Sequence, residues 1–166
     1  MPIADILLPE FDHEMAGTRR MLERVPEADA DWRPHPRSTT LGDLAAHIAR
    51  IAKWGRYIFE RPELDLGAPA NAELATARFA GTADLLQQFD RNVAETRAAL
   101  AGTPDDAMRA VWTLRAGPRT IFSLPRAGAF RGFTLSHLIH HRGQLSVYLR
   151  LRDVPLPSLY GPTADT

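Results

Sequence analysis

The spacing of apolar residues along the chain predicts four amphipathic helices. Apolar side chains recur at steps of three and four residues from about Asp5 to Arg24, from about Thr40 to Glu60, and from Thr82 to Gly102. A fourth stretch of this kind begins near Ala129 and continues to Asp153. Proline or glycine follows each stretch, which is typical of a helix end. The chain is therefore expected to be mostly helical.

Two segments between these helices break the helical pattern. Before the fourth helix, Val111–Leu114 and Thr120–Leu124 read as short β-like pieces around a Gly-Pro pair, which predicts a hairpin or an irregular excursion. Residues 61–81 carry prolines and glycines and predict a linker or loop, with a weak helical stretch near residues 73–79.

The C-terminal part of the chain carries two smaller predictions. Gly143 lies inside the predicted fourth helix, where glycine costs about 1 kcal/mol relative to alanine. It therefore predicts the close approach of another backbone. The prolines of residues 154–162 predict an extended tail, and the apolar residues between them indicate that this tail packs on the helices or on a partner.

Length and composition exclude several classes of protein. The 166 residues fit one domain, so residues 1–166 are expected to form a single domain. The formal net charge is zero and the arginines are spread along the chain, which excludes a basic nucleic-acid footprint. No apolar run approaches the roughly 18 residues of a membrane span, and the first residues do not resemble a signal peptide, so the cytoplasm is the expected location.

The absence of cysteine limits the chemistry of the chain. It excludes disulfides, thiolate metal ligands and a cysteine nucleophile. Any bound metal must therefore be held by histidine or by carboxylates.

Three histidines lie on the predicted apolar faces of two helices. His137 and His141 are four residues apart, so they stack on one helix face and can reach one metal ion; His140 is an alternative partner for His137. His47 occupies a core-facing position of the second helix. Asp43, one turn earlier, either orients His47 or favours the helix N-terminus through the helix dipole. His13, by contrast, is expected to be exposed, with a supporting role beside the site as the alternative, and His35, between two prolines, is expected to lie in a loop.

Two interpretations of these histidines remain open from spacing alone. Three buried imidazoles without partners would each leave a ring nitrogen unsatisfied, at about 1–3 kcal/mol apiece, whereas one divalent ion would satisfy all three. The competing interpretation is a pair of core hydrogen bonds and one exposed histidine. The pattern favours the two about equally.

Three stretches resemble the DinB family of damage-inducible-type proteins. They are residues 41–47 (LGDLAAH), residues 137–150 (HLIHHRGQLSVYLR) and residues 154–162 (VPLPSLYGP). The resemblance spans essentially the whole chain. It implies an all-α fold, a four-helix bundle in this case with a short β-like hairpin before the fourth helix, and a homodimer. It also implies a metal centre made of three histidines, which falls on His47, His137 and His141.

The resemblance further implies a function, because related proteins are thiol-dependent S-transferases and maleylpyruvate isomerases that use bacillithiol or mycothiol. We therefore expect a transferase that uses a divalent metal, zinc or nickel before iron or manganese, and a low-molecular-weight thiol on a small electrophile. The alternatives are a non-catalytic or stress-associated metal-binding protein and a metal-dependent hydrolase. A His-Glu-x-x-His peptidase is disfavoured, because the glutamate is missing between His137 and His141. Arginines near the hairpin are candidates to bind cofactor carboxylates, with surface ion pairing as the alternative: Arg115, Arg119, Arg126 and Arg131.

Overall fold

A computed structural model describes residues 1–74 and 78–165. In these residues the chain forms long helices, two short helices and a small sheet. The helices are α1 (Ile3–Leu22), α2 (Leu41–Glu60), α3 (Thr82–Gly102), α4 (Asp105–Arg109), α5 (Arg126–Ala129) and α6 (His137–Leu151). A π-helical segment, Phe130–Ser136, joins α5 to α6 without a break, so that the two form one long stretch. The predicted helical fold class is confirmed.

The four long helical stretches surround one apolar core. Helix α1 packs on α3 and α6, and α2 packs on α3, on α6 and on the π-helical segment. Large side chains in the core, among them Phe11, Phe89 and Phe130, are fully buried. Each buried side chain of this size contributes about 1.5–3 kcal/mol of hydrophobic stabilisation. Thr40 caps α2, because its hydroxyl accepts a hydrogen bond from the Asp43 backbone N–H at 3.1 Å.

A three-stranded sheet lies beside the helices. Strands β2 (Val111–Ala116) and β3 (Arg119–Pro125) are antiparallel and confirm the predicted hairpin, with Gly117 at φ 58° in the turn. Strand β1 (Glu63–Asp65) pairs in parallel with β2, inside the segment predicted as a linker. The linker prediction is therefore wrong for β1. This strand has only three residues, of which Leu64 alone is buried, so it leaves too short a pattern to recognise.

Two other details differ from the sequence-based expectation. A Cβ atom built on Gly143 meets nothing within 4 Å among the described residues, so the predicted close approach of a backbone is wrong. Of the weak helical stretch predicted near residues 73–79, the structure has a 3-10 turn at Pro69–Leu74, and residues 75–77 lie outside the described residues.

The C-terminal tail packs on the bundle, which was one of the two predicted alternatives. Leu156 and Leu159 pack against the apolar core, and the Arg20 side chain donates a hydrogen bond to the Ser158 carbonyl at 3.1 Å. No helix in the described part of the chain combines the length and the apolar character needed to cross a membrane.

Candidate metal centre

The fold brings His47, His137 and His141 together. His47 projects from the middle of α2, and the other two lie one turn apart at the start of α6. One ring nitrogen from each lies within 4.8 Å of those of the other two, and all three side chains are partly buried. Metal–nitrogen bonds are about 2 Å long, so small side-chain rotations would close this cluster around one ion. The three histidines could therefore hold a metal ion.

The remaining histidines lie outside the cluster. His13 is exposed, as the sequence predicted, and His35 lies exposed in the predicted loop. His140 is also exposed, and its ring lies beside that of His141 with the centroids 5.0 Å apart. The structure thus brings the pair that is four residues apart, His137 and His141, to His47, and not the pair that is three residues apart.

The neighbours of His137 and His141 leave their Nε2 atoms facing each other, 2.9 Å apart. His141 bonds through Nδ1 to Gln144 Oε1 at 2.7 Å. His137 bonds to the backbone carbonyl of Phe133. The backbone N–H of His137, which follows the π-helical segment, bonds to the carbonyl of Thr134. Carbonyl partners of this kind fix the tautomer that presents Nε2 to a metal.

His47 has a different neighbour. Its Nδ1 lies 2.7 Å from Nη2 of Arg50, one turn further along α2. Asp43, which the sequence offered as an orienting group, instead lies in the first turn of α2, where its charge favours the helix N-terminus. Neither Arg50 nor Gln144 could be recognised from the sequence, because each looks like an ordinary polar residue one turn away from a histidine.

Aromatic side chains form one wall of the cluster. The rings of Trp54 and Phe133 stack, with centroids 4.6 Å apart and planes inclined by 13°. Trp54 contacts both His47 and His137, at 5.8 and 5.3 Å between centroids, and Phe122 packs behind Phe133 at 5.6 Å. These apolar rings keep water away from one side of the histidines, which strengthens electrostatic interactions there.

The environment keeps all three imidazoles neutral at pH 7. Burial, together with the nearby positive charge of Arg50, lowers the pKa of His47 from its ordinary value of 6.5 to about 3. Burial also lowers the pKa of His137 and of His141. Neutral imidazole is the form that binds a metal, so this donor set fits a divalent transition ion.

Three of the arginines that the sequence offered for carboxylate binding have partners within the fold. Arg115 lies 3.4 Å from Glu63, Arg126 donates to the carbonyl of Ile58 at 2.8 Å, and Arg131 pairs with Glu10 at 2.9 Å. Arg119 is exposed on β3. For Arg115 and Arg131 this is the surface ion pairing that was the alternative prediction, whereas Arg126 bonds to backbone. Arg50 contacts the cluster directly.

Comparisons with known proteins place this geometry in a family. A family model described as the DinB superfamily matches residues 10–145. A curated relative, the uncharacterized protein YrdA of Bacillus subtilis (strain 168), is 22% identical over 168 residues, which cover 97% of this chain and 90% of the relative.

Solved structures with similar folds come from two Bacillus species. The crystal structure of a DinB-like protein, YjoA, from Bacillus subtilis has a TM-score of 0.68 and 18% identity, over 94% of this chain and 98% of that one. A DinB-like protein from Bacillus cereus ATCC 10987 has a TM-score of 0.68 and 20% identity, over 96% of this chain and 98% of that one. At this identity the likeness shows the fold.

Proposed function

Because the chain belongs to the DinB superfamily, we propose that it is a metal-dependent transferase that joins a low-molecular-weight thiol to a small electrophile. The observation that supports this most is the meeting of three neutral imidazoles from two helices against an aromatic wall. Three protein ligands leave a coordination position for a small molecule, which is typical of catalytic sites.

The roles of the residues follow from their contacts. His47, His137 and His141 would hold the ion, Gln144 and the Phe133 carbonyl orient two of the rings, and Trp54 limits water on one side. The metal, when bound, would supply Lewis acidity that lowers the pKa of a thiol. The chain has no cysteine, so the sulfur must come from another molecule.

The reaction needs no oxidant. The thiol releases its proton to water, its sulfur forms a bond to the electrophilic carbon, and the leaving group departs with the electron pair of the bond that breaks. Zinc and nickel are the first candidates for the metal, followed by iron and manganese, since three imidazoles suit each of these ions. A homodimer is part of the same proposal and would be measured by light scattering.

A second candidate is a non-catalytic metal site that stabilises the bundle. One observation favours it: the ligands come from α2 and α6, so an ion would cross-link two helices that are distant in sequence. A hydrolase is less well supported, because the cluster found among the described residues contains histidines and no carboxylate that could serve as a base.

The experiment is a rate measurement with metal-loaded protein, a thiol and an aryl chloride electrophile. Bacillithiol, mycothiol and glutathione would each be tested, and release of chloride followed. With at least one thiol, His137→Ala is expected to lower the rate at least about 100-fold, whereas the exposed His13→Ala should leave it unchanged. Equal rates in wild type and His137→Ala for every thiol would contradict the transferase and favour the non-catalytic site.

A further inference from the structure

Among the described residues, Arg50 at the edge of the candidate metal centre has no anionic partner. Its Nη2 donates to Nδ1 of His47, and its Nε and Nη1 atoms are buried without a hydrogen-bond partner in the part of the chain that the structure describes. Arginines that do form ion pairs in this part of the chain mostly do so near the surface, as Arg97 does with Asp12. Leaving buried guanidinium donors unsatisfied is costly, so this arrangement indicates a missing partner.

His47 cannot bind a metal while its contact with Arg50 persists. A neutral imidazole has one lone pair and one N–H, and here the lone pair is on Nδ1, where it accepts from Arg50. If Nδ1 becomes the metal ligand, its lone pair is no longer available to Arg50. If Nε2 becomes the ligand, Nδ1 must carry the proton, and then two donors face each other. Either way, ligation by His47 requires Arg50 to leave.

We propose that Arg50 is an anion-binding residue, released from His47 when a metal occupies the cluster, that then binds the carboxylate of a ligand held beside the metal. The inference rests on the proposed metal site but not on thiol chemistry. A guanidinium presents paired N–H donors that match the two oxygens of a carboxylate. The adjacent rings of Trp54 and Phe133 favour a ligand with a planar, apolar body.

The ligand class follows from the same surroundings. A carboxylate is a monoanion, and a partly buried site beside aromatic rings accepts it at a smaller desolvation cost than it would a phosphate dianion. His47, the contact of Arg50, lies with its ring 4.7 Å from that of His141, so an anion on Arg50 would be next to the cluster. The same arginine would then select substrates or cofactors that carry a carboxylate.

The test is calorimetric titration of zinc-loaded protein with benzoate, with the metal content of each sample first measured by elemental analysis. Wild type is expected to bind benzoate at least about tenfold more tightly than Arg50→Met, because the variant removes the charged donors that would hydrogen-bond to the carboxylate. Arg50→Lys, which keeps the charge but not the paired donors, should fall between them. The matched control Arg91→Met, at an exposed arginine on α3, should behave as wild type.

Metal affinity gives a second measurement that does not depend on benzoate. Arg50→Met should bind zinc roughly threefold to tenfold more tightly than wild type, because the variant removes both a competing hydrogen bond and a like charge. Weaker zinc binding by Arg50→Met would overturn the inference, since it would show that Arg50 supports His47 as a ligand.

The outcomes separate this inference from the proposed metal site. A wild-type chain that takes up no metal would overturn both. A metal-loaded wild type that binds benzoate no more tightly than Arg50→Met would overturn the role of Arg50 and leave the metal site standing.

Discussion

Each histidine of the cluster has a neighbour that decides which ring nitrogen is free. Gln144 and the Phe133 carbonyl leave Nε2 of His141 and His137 free for a metal, whereas Arg50 occupies the lone pair of His47. The two histidines of α6 are therefore arranged as ligands before any ion arrives. His47 is the ligand whose recruitment requires a rearrangement.

Substitution of each histidine separates the ligands from the other histidines. His47→Ala, His137→Ala and His141→Ala should each weaken zinc binding at least about 100-fold, because each removes one of three ligands. The controls His13→Ala and His35→Ala should bind as wild type, since both side chains are exposed away from the cluster. Affinity would be measured by competition with a chromogenic chelator.

His140→Ala is the sensitive member of this series. We expect it to retain metal, because His140 lies beside His141 but outside the cluster. Loss of metal in His140→Ala with full binding in His141→Ala would mean that the pairing at three residues is the one used.

The lowered pKa values have a consequence for stability. An imidazole in the unfolded chain titrates near 6.5, whereas burial holds the pKa of His47 at about 3 in the folded protein. Between these values the unfolded state binds more protons than the folded state, so the free energy of unfolding of metal-free protein should fall as the pH is lowered from about 6.5 towards 3. Above about 6.5 this contribution to stability is fully present.

Urea unfolding at several pH values would measure this effect. His47→Gln should lose stability less steeply than wild type on acidification, because glutamine does not titrate. His13→Gln, at an exposed position, should keep the wild-type dependence. If the free energy of unfolding depended on pH in the same way in wild type and in His47→Gln, burial of His47 would not set its protonation.

The residues of the site differed in how well the sequence could identify them. His47, His137 and His141 stood out because each interrupts an apolar stripe, which is visible without a structure. Arg50 and Gln144 gave no such signal. Each acts through a contact to a histidine one turn away, and a polar residue at that spacing is ordinary on any helix.

At the level of the elements, the packing of α2 depends on a glycine. A Cβ atom at Gly55 would overlap the Thr96 methyl group and would lie 2.9 Å from the Phe130 ring, so α2 approaches both α3 and the π-helical segment closely here. Gly55→Ala should therefore destabilise the protein by about 1–3 kcal/mol, as overpacking does. Thermal or urea unfolding would measure it.

Gly143→Ala is the matched control for Gly55→Ala. A Cβ at Gly143 meets no atom within 4 Å among the described residues, so alanine should stabilise α6 by up to about 1 kcal/mol. A loss of stability in Gly143→Ala equal to that of Gly55→Ala would contradict the packing described here.

The elements also show where a sequence pattern stops being informative. The long helices were predicted within a few residues, because each repeats its apolar pattern over several turns. The parallel strand Glu63–Asp65 was missed, since it depends on pairing with Val111–Ala116, far along the chain. The π-helical geometry of Phe130–Ser136 likewise has no mark in the sequence, although it contains Phe133, whose carbonyl bonds to His137.

At the scale of the whole molecule, a buried ion pair connects both ends of the chain. Arg142 is 3% exposed; it donates to the Glu14 carboxylate at 2.7 Å and to the Glu14 carbonyl at 3.0 Å. Tyr160 of the tail also donates to Glu14, at 2.7 Å. The contacts hold α1, α6 and the tail together.

Removing one partner of this ion pair should strongly destabilise the protein. Arg142→Met leaves the Glu14 carboxylate buried without its counter-ion, and is expected to cost about 3–5 kcal/mol in urea unfolding. The control Arg97→Met breaks the exposed pair with Asp12 and should cost less than about 1 kcal/mol. Similar losses in the two variants would mean that burial does not strengthen the pair.

The single domain and the homodimer stay predictions.

The central claim is that three histidines from two helices bind one divalent transition ion. The most direct measurement is elemental analysis of protein purified without chelator and then dialysed against zinc, nickel or manganese, alongside the triple variant His47→Ala, His137→Ala, His141→Ala. We expect about one ion per wild-type chain, released by chelator, and none in the variant. A wild-type chain that holds no stoichiometric metal, or a variant that holds as much as wild type, would contradict the claim.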